Sequence, residues 1–262
     1  MSAPVVLMAI DGLRPDAIDS SVSPTLVGCM RAGSSTLHGR SVEPSFTLPC
    51  FTSIFHAVPP SEHGVTSNEW HPMPDPAPGL IEVLSGAGLR CSAVYNWEQL
   101  RDVSRPGRLV HSYYENTNAD PLGDRGMADR AVEIVGRKES DFLFVYFGVV
   151  DSAGHEFGWM SDGYLEQVAR ADAAAAHVLD ALPDDSTVVI LSDHGGHEFA
   201  HGTDSPEDMT IPLIVTGPGI RAGHTIAEPV SLLDVSPTVA AVFGVDAEPK
   251  WRGRAIQEIF ER

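Results

Sequence analysis

The sequence is short of positive charge, and of lysine in particular. Its 262 residues include 17 basic and 36 acidic side chains, which gives a formal net charge of −19. Lysine occurs only at Lys138 and Lys250. A field of this sign repels nucleic acids and anionic membranes, so we expect neither as a partner. It favours solubility and is compatible with bound cations.

Cysteine is also scarce, and long apolar runs are missing. Cys29, Cys50 and Cys91 are too few and too scattered for a disulfide framework or a thiolate zinc site, so we interpret them as small buried hydrophobic residues. No stretch has the length needed to span a bilayer. The opening residues MSAPVVLMAIDG lack the basic region and apolar run of a secretory signal, which predicts a cytoplasmic protein.

Short apolar runs alternate with helical patterns along the chain. Buried strands are predicted at 4–10, 91–97, 142–150, 187–192 and 211–217. Helices are predicted at 78–89, 125–136, 161–182 and 231–244. This alternation predicts an α/β three-layer sandwich, with a mostly parallel central sheet flanked by helices. We expect one domain over 1–262, with small loop-like insertions at about 66–77 and 98–124.

Three of these strands are followed by an aspartate. Asp11 comes after the first strand, Asp151 after the third and Asp193 after the fourth. The carboxyl ends of parallel strands meet at one edge of a sheet, so these side chains are expected to converge there. Three carboxylates in one crevice repel each other, and a positive partner must balance them.

Histidines beside these aspartates favour a metal ion as that partner. His155 lies one helical turn after Asp151, His194 adjoins Asp193, and His197 and His201 follow in the next loop. A lone aspartate after a strand is usually a turn or cap residue, and a lone histidine is usually an ordinary surface or core residue. Their joint occurrence favours a site, and a mixed Asp/His set suits zinc or manganese better than calcium or magnesium. The role of His197 stays open.

Four stretches resemble the nucleotide pyrophosphatase/type I phosphodiesterase group of the alkaline phosphatase superfamily. In chain order they are AIDGLRPD, PSFTLPCFTSIFHAVPPSEHGVTSN, VDSAGHEFG and SDHGGHEFAHGTDSPEDMTIPLIVTGPGI. The later segment LLDVSPTVAAVFGV is similar to the closing helix of the family. The resemblance implies an alkaline-phosphatase-like core, and the short chain implies a reduced cap.

The resemblance also implies a nucleophile and two divalent metal ions, with zinc preferred and manganese as the alternative. The nucleophile is the threonine before the proline of PSFTLP, which is Thr47. The metal that also touches Thr47 would be held by Asp11, Asp193 and His194, and the other by Asp151, His155 and His201.

Local chemistry agrees with Thr47 as the nucleophile. A neutral hydroxyl is a poor nucleophile, and a metal bound to its oxygen lowers its pKa. Pro49 suits the first turn of a helix, which would put Thr47 near a helix N-terminus that favours a phosphoryl anion. Ser45 lies in the preceding loop, and Thr52 and Ser53 lie inside the predicted helix. Without the motif, a capping role for Thr47 is the alternative.

Substrate contacts are less well defined by the sequence. Phosphodiesterases of this group carry an asparagine three places after the nucleophile, and here that place is Cys50. A thiol is a weak donor, so Asn68 or Asn96 is a candidate to replace that amide, and His197 is a further candidate. The Cys-x-Pro-x-Arg signature of sulfatases is missing, which argues against a formylglycine nucleophile.

These features predict hydrolysis of a small phosphate monoester or diester through a phospho-threonine intermediate. One alternative is a phosphomutase, which we rank lower because such enzymes need a substantial closing domain and several basic contacts. A second alternative is a non-catalytic metal-binding member. All six ligand positions and Thr47 are present, which argues against that alternative.

Overall fold

A computed structural model describes residues 4–261. The strands of this range are β1 (Val5–Ile10), β2 (Ser34–Arg40), β3 (Cys91–Tyr95), β4 (Leu109–Tyr114), β5 (Phe142–Phe147), β6 (Thr187–Leu191), β7 (Thr210–Thr216) and β8 (His224–Thr225). They form one eight-stranded sheet in the order β4-β3-β5-β1-β6-β7-β2-β8. Five neighbouring pairs are parallel, and only the pairs that β7 makes with β6 and β2 are antiparallel.

Helices cover both faces of this sheet. They are α1 (Pro24–Ala32), α2 (Thr47–His56), α3 (Pro60–His63), α4 (Leu80–Gly86), α5 (Gly123–Arg137), α6 (Val149–Phe157), α7 (Asp162–Ala181), α8 (Pro206–Met209) and α9 (Val235–Val242). Short 3-10 turns lie at Pro15–Ala17, Glu98–Val103, Leu232–Asp234 and Gln257–Ile259. None of the helices formed by residues 4–261 has both the length and the apolar character required to cross a membrane.

Strand β1 lies in the middle of the sheet and separates the two cores. It is parallel to both β5 and β6, and all six of its residues are buried. Leu7 and Ala9 face the core that also contains residues of α2 and α9, while Met8 and Ile10 face the core with residues of α1, α5 and α7. Successive side chains of a strand point to opposite faces, so one apolar strand contributes to both layers. The predicted three-layer α/β architecture is confirmed.

Two predicted elements differ from the structure. The segment 98–124, predicted as a loop-like insertion, contains β4, an edge strand in which half-buried and exposed residues alternate. The strand predicted over 142–150 ends at Phe147, and α6 begins at Val149. The N–H groups of Gly148 and Val149 are bonded to the side chains of Asn96 and Asp124, which end the strand and cap the helix.

Candidate active site

The first group of potential ligands lies at the carboxyl ends of β1 and β6. Asp11 directly follows β1, while Asp193 and His194 follow β6, and all three are buried. Nε2 of His194 is 3.1 Å from Oδ1 of Asp11 and 3.4 Å from Oδ2 of Asp193. One ligand atom from each residue lies within 4.8 Å of the others, a spacing that one metal ion could bridge. The predicted convergence of strand-end aspartates is therefore observed.

The second group combines one turn of α6 with the loop after β6. Asp151 and His155 lie four residues apart on α6, so their side chains share one face of the helix. Nε2 of His155 and Nε2 of His201 are each 3.5 Å from Oδ1 of Asp151. These three residues also place one ligand atom each within 4.8 Å of the others. The structure thus brings together the two ligand sets that the resemblance implies.

Each histidine of the two groups is oriented by a backbone carbonyl. Nδ1 of His155 is 2.9 Å from the carbonyl oxygen of Phe199, and Nδ1 of His201 is 2.8 Å from that of Ser45. Nδ1 of His194 is 2.7 Å from the carbonyl oxygen of Gly195. A carbonyl only accepts, so the hydrogen lies on Nδ1 in each ring. In the neutral form of each ring the lone pair then lies on Nε2, which faces the carboxylates in all three, as in protein metal sites.

Three buried carboxylate oxygens in this crevice have no hydrogen-bond donor. Within the described part of the chain they are Oδ1 of Asp11, Oδ1 of Asp151 and Oδ2 of Asp193. They are the same oxygens that approach the histidine Nε2 atoms. A buried charged oxygen without a partner is costly, and a divalent cation would remove that cost. The donor set therefore fits two metal ions.

The pKa values of the buried carboxylates and of His194 also fit bound cations in the two groups. Burial, and then the charge of Asp11, raise the pKa of Asp151 to about 7. Burial also raises the pKa of Asp193 well above its usual range. Burial opposes protonation of His194, yet Asp193 and Asp11 raise its pKa to about 10. These shifts describe carboxylates that lack compensating positive charge, and a bound cation reverses that situation.

Thr47 is the first residue of α2 and lies beside the first group. Its side chain is 4% exposed, and Oγ1 is 3.3 Å from Nε2 of His194. The next residue, Leu48, donates its N–H to Oδ1 of Asn68 at 3.0 Å. A hydroxyl, a helix N-terminus and a side-chain amide thus meet at one end of the crevice. This arrangement can accommodate an oxyanion such as a phosphoryl group.

The other predicted substrate contacts occupy different environments. Asn68 is exposed at the N-terminus of α2. Cys50 is fully buried, with Sγ 3.3 Å from Oγ of Ser41, and burial raises the pKa of its thiol. Asn96 is fully buried. Its Nδ2 donates a hydrogen bond to Oδ1 of Asp124, and its Oδ1 accepts one from the N–H of Gly148. Neither Cys50 nor Asn96 has exposed surface with which to contact a substrate, so we propose neither as a substrate contact.

His197 is bonded away from the two groups. Its Nδ1 is 2.7 Å from Oδ1 of Asp208, and Oδ2 of that buried carboxylate accepts hydrogen bonds from the N–H and hydroxyl of Thr203. Since Thr203 lies two residues after His201, Asp208 fixes the loop that carries this candidate ligand. Asp208 was not predicted as a site residue. The one feature in the sequence that could have marked Asp208 is its position just before the strand β7.

Tyr146 was also not predicted as a site residue. It lies in β5 and donates its hydroxyl hydrogen to Oδ2 of Asp11. In the sequence this tyrosine is one aromatic residue within an apolar strand. The one feature that could have marked it as a site residue is its polar phenol hydroxyl in an otherwise apolar strand.

A cavity of about 460 Å³ lies under the segment before β4. Trp70 lines it from the segment 66–77, and Arg101 and Arg105 line it from the segment 98–124. Both predicted insertions therefore contribute to one cavity. Its floor is apolar and includes Ala93 and Phe144.

Most of this chain matches a known protein family. A family model described as type I phosphodiesterase / nucleotide pyrophosphatase matches residues 5–210. The matched range includes both ligand groups and Thr47. The chain belongs to this family. The family assignment agrees with the resemblance seen in the four sequence stretches.

Curated relatives of this phosphodiesterase-family chain include mutases. A phosphopentomutase of Deinococcus radiodurans is 27% identical over 255 residues, which cover 95% of this chain and 60% of that protein. A phosphopentomutase of Symbiobacterium thermophilum is 26% identical over 172 residues, covering 65% of this chain and 41% of that protein. The chain thus spans between two fifths and three fifths of the length of these relatives.

Solved structures share the fold at low sequence identity. Murine ectonucleotide pyrophosphatase / phosphodiesterase 5, solved as an inactive variant with AMP, has a TM-score of 0.83 and 14% identity, covering 99% of this chain and 100% of that chain. A phosphonate monoester hydrolase of Silicibacter pomeroyi has a TM-score of 0.75 and 16% identity, covering 99% of this chain and 76% of that chain. These likenesses establish an alkaline-phosphatase-like fold for this phosphodiesterase-family chain.

Proposed function

We propose that this chain hydrolyses small phosphate esters, with Thr47 as the nucleophile and a divalent metal ion in each of the two ligand groups. One observation carries the proposal. Buried carboxylate oxygens without donors face the Nε2 atoms of three histidines, and the Nε2 of His194 is 3.3 Å from Oγ1 of Thr47. Membership of a phosphodiesterase family supports the same chemistry.

The residues that would hold the metals are those of the two groups. Asp11, Asp193 and His194 form the group nearest Thr47, and the other group consists of Asp151, His155 and His201. When bound there, divalent cations neutralise the carboxylates, lower the pKa of the threonine hydroxyl and stabilise negative charge on the phosphoryl and leaving oxygens. Mixed carboxylate and imidazole ligands favour zinc, with manganese as the second candidate.

The chain itself supplies the nucleophile and the hydrogen-bond donors that hold the phosphoryl group. Oγ1 of Thr47 gives up its proton to water in the open crevice and forms a bond to phosphorus while the bond to the leaving oxygen breaks, which gives a phospho-threonine. Water then attacks phosphorus, the bond to Oγ1 breaks, and the free hydroxyl returns. The N–H of Thr47, the first residue of α2, and Nδ2 of Asn68 are the proposed contacts to phosphoryl oxygens, since the N–H of Leu48 is bonded to Asn68 and that of Cys50 to Phe46. Within residues 4–261, Nδ2 of Asn68 makes no hydrogen bond, since only its Oδ1 is used.

Solvent access favours water as the final acceptor. The side chain of His155, in the second group, is 46% exposed, so water reaches this end of the crevice. A mutase must keep water away from its phospho-enzyme, and an open site works against that requirement. Intramolecular phosphoryl transfer is the second candidate because the curated relatives are named phosphopentomutases.

The experiment is a metal analysis followed by two assays. The purified protein is loaded with zinc or with manganese, and release of p-nitrophenol is measured from a phosphate monoester and from a diester. Conversion of a phosphopentose is measured in parallel. We expect two bound metal equivalents and turnover of at least one ester. Phosphopentose isomerisation without ester hydrolysis would favour the mutase, and two bound metals with no turnover would favour a binding role.

A further inference from the structure

Tyr146 lies outside both ligand groups, yet it contacts one of them directly. Its hydroxyl donates a hydrogen bond to Oδ2 of Asp11, and both side chains are buried, with 1% and 2% of their surface exposed. We propose that Tyr146 is a positioning residue that holds Asp11 with its other oxygen, Oδ1, directed into the first metal group. The inference rests on the proposed function, because it assigns a role within the same site.

The two oxygens of Asp11 have different environments. Oδ2 accepts the tyrosine hydrogen, while Oδ1 has no hydrogen-bond donor and lies 3.1 Å from Nε2 of His194. A carboxylate held at one oxygen cannot rotate freely about its last side-chain bond. Tyr146 therefore selects the orientation in which Oδ1 is available as a metal ligand.

The ring of Tyr146 is itself held from several sides. Its residue pairs with Ala9 in the register between β5 and β1, so the backbones on which Tyr146 and Asp11 stand are hydrogen-bonded neighbours. Phe51 packs against the ring edge to face, with centroids 5.3 Å apart. A Cβ at Gly148 would lie 2.8 Å from the ring, so glycine is needed there for the ring to fit. The hydroxyl has little freedom to leave Asp11.

The packing also connects the ligand to the nucleophile. Phe51 stands on α2, one turn after Thr47 at the start of that helix. A phenol is ordinarily protonated at neutral pH and donates one hydrogen. One tyrosine thus touches the ligand Asp11 through its hydroxyl and the helix of Thr47 through its ring. Removal of the hydroxyl alone separates these two contacts, since the ring remains.

The test compares Tyr146→Phe with Tyr95→Phe as a matched control. Tyr95 is also buried, on the adjacent strand β3, and its ring stacks on Tyr114. Zinc affinity of each full-length variant is measured by competition with a chelator. We expect about 10- to 100-fold weaker binding of one zinc equivalent in Tyr146→Phe, with wild-type affinity in Tyr95→Phe. The visible spectrum of the cobalt-loaded protein should change only in Tyr146→Phe, because it reports ligand geometry.

A double-mutant cycle with Asp11→Asn separates positioning from packing. If Tyr146 acts through Asp11, Tyr146→Phe will weaken zinc binding little further in the Asp11→Asn protein. Equal zinc affinity and an unchanged cobalt spectrum in Tyr146→Phe would overturn the inference while leaving the proposed function intact. Wild-type protein that binds neither zinc nor manganese would overturn both.

Discussion

The imidazole rings of His194 and His201 stack face to face, with centroids 3.8 Å apart and planes 12° from parallel. One histidine belongs to each ligand group, so the two groups share a wall and form one crevice. Both rings present Nε2 to carboxylates, since Nδ1 of each is bonded to a backbone carbonyl. Two neighbouring imidazoles of this kind are poorly placed to be protonated together. Burial, followed by the charge of His194, lowers the pKa of His201 to about 3.

Thr47→Ala should abolish ester turnover. Loss of the nucleophile typically costs a factor of 10³ or more, about 4 kcal/mol in the activation barrier. Zinc stoichiometry should stay at two, because each group keeps its three Asp and His ligands. Thr52→Ala is the control, since Thr52 lies in the same helix and its hydroxyl donates to the Leu48 carbonyl. Full turnover by Thr47→Ala, measured with p-nitrophenyl esters, would refute the nucleophile.

His155→Ala should reduce the bound metal from two equivalents to one. The second group would keep only Asp151 and His201, whereas the first group would be intact. Metal content after gel filtration, measured by atomic emission, gives the result directly. His197→Ala is the matched control from the neighbouring loop, because His197 is bonded to Asp208. Loss of a metal in His197→Ala with retention in His155→Ala would reverse our assignment of these two histidines.

Removal of metal should lower thermal stability. The oxygens without donors on Asp11, Asp151 and Asp193 lie close together in a buried crevice, so their repulsion is uncompensated without cations. A ligand present at 1,000 times its Kd stabilises the folded state by about 4 kcal/mol. Scanning calorimetry should therefore show a Tm several degrees lower with chelator, and recovery on addition of zinc. An unchanged Tm would argue against metal in this crevice.

Acid should destabilise the fold through His63. Its Nδ1 accepts the N–H of Val65, so Nε2 carries the hydrogen and donates to Ser53. Burial, with a smaller effect of His56, lowers the pKa of His63 to about 4. The unfolded chain binds a proton from about pH 6.5, so stability present above that pH is lost as the pH falls toward 4, by about 3 kcal/mol.

Urea unfolding between pH 7.5 and 4 measures this loss. His63→Gln should flatten the pH dependence, while His71→Gln, at an exposed position, should leave it unchanged. Identical pH profiles for His63→Gln and the wild type would show that His63 does not carry the effect.

The convergence of the candidate ligands was predictable from sequence because strand ends and histidine spacing are local signals. Asp11 and Asp193 follow buried strands, and His155 lies one turn after Asp151 on the same helix, so the topology alone brings them together. The edge strand β4 was missed because its alternation is short and is bordered by residues typical of loops. Tyr146 and Asp124 were missed because their roles depend on partners distant in sequence. Tyr146 reaches Asp11 across 135 positions.

The asparagines predicted as substrate contacts should respond differently to substitution. Asn68→Ala removes an exposed amide at the N-terminus of α2, so we expect kcat/KM to fall by about 10²-fold through loss of an oxyanion donor, with Tm and metal content retained.

Asn96→Ala removes a buried amide that bonds to Gly148 and Asp124 beside the start of α6. That variant should lose thermal stability and bind the second metal more weakly, because α6 carries Asp151 and His155. Steady-state kinetics combined with Tm and metal analysis separates the two outcomes. A catalytic defect in Asn96→Ala with wild-type Tm and metal content would restore Asn96 as a substrate contact, and wild-type kinetics in Asn68→Ala would remove Asn68 from that role.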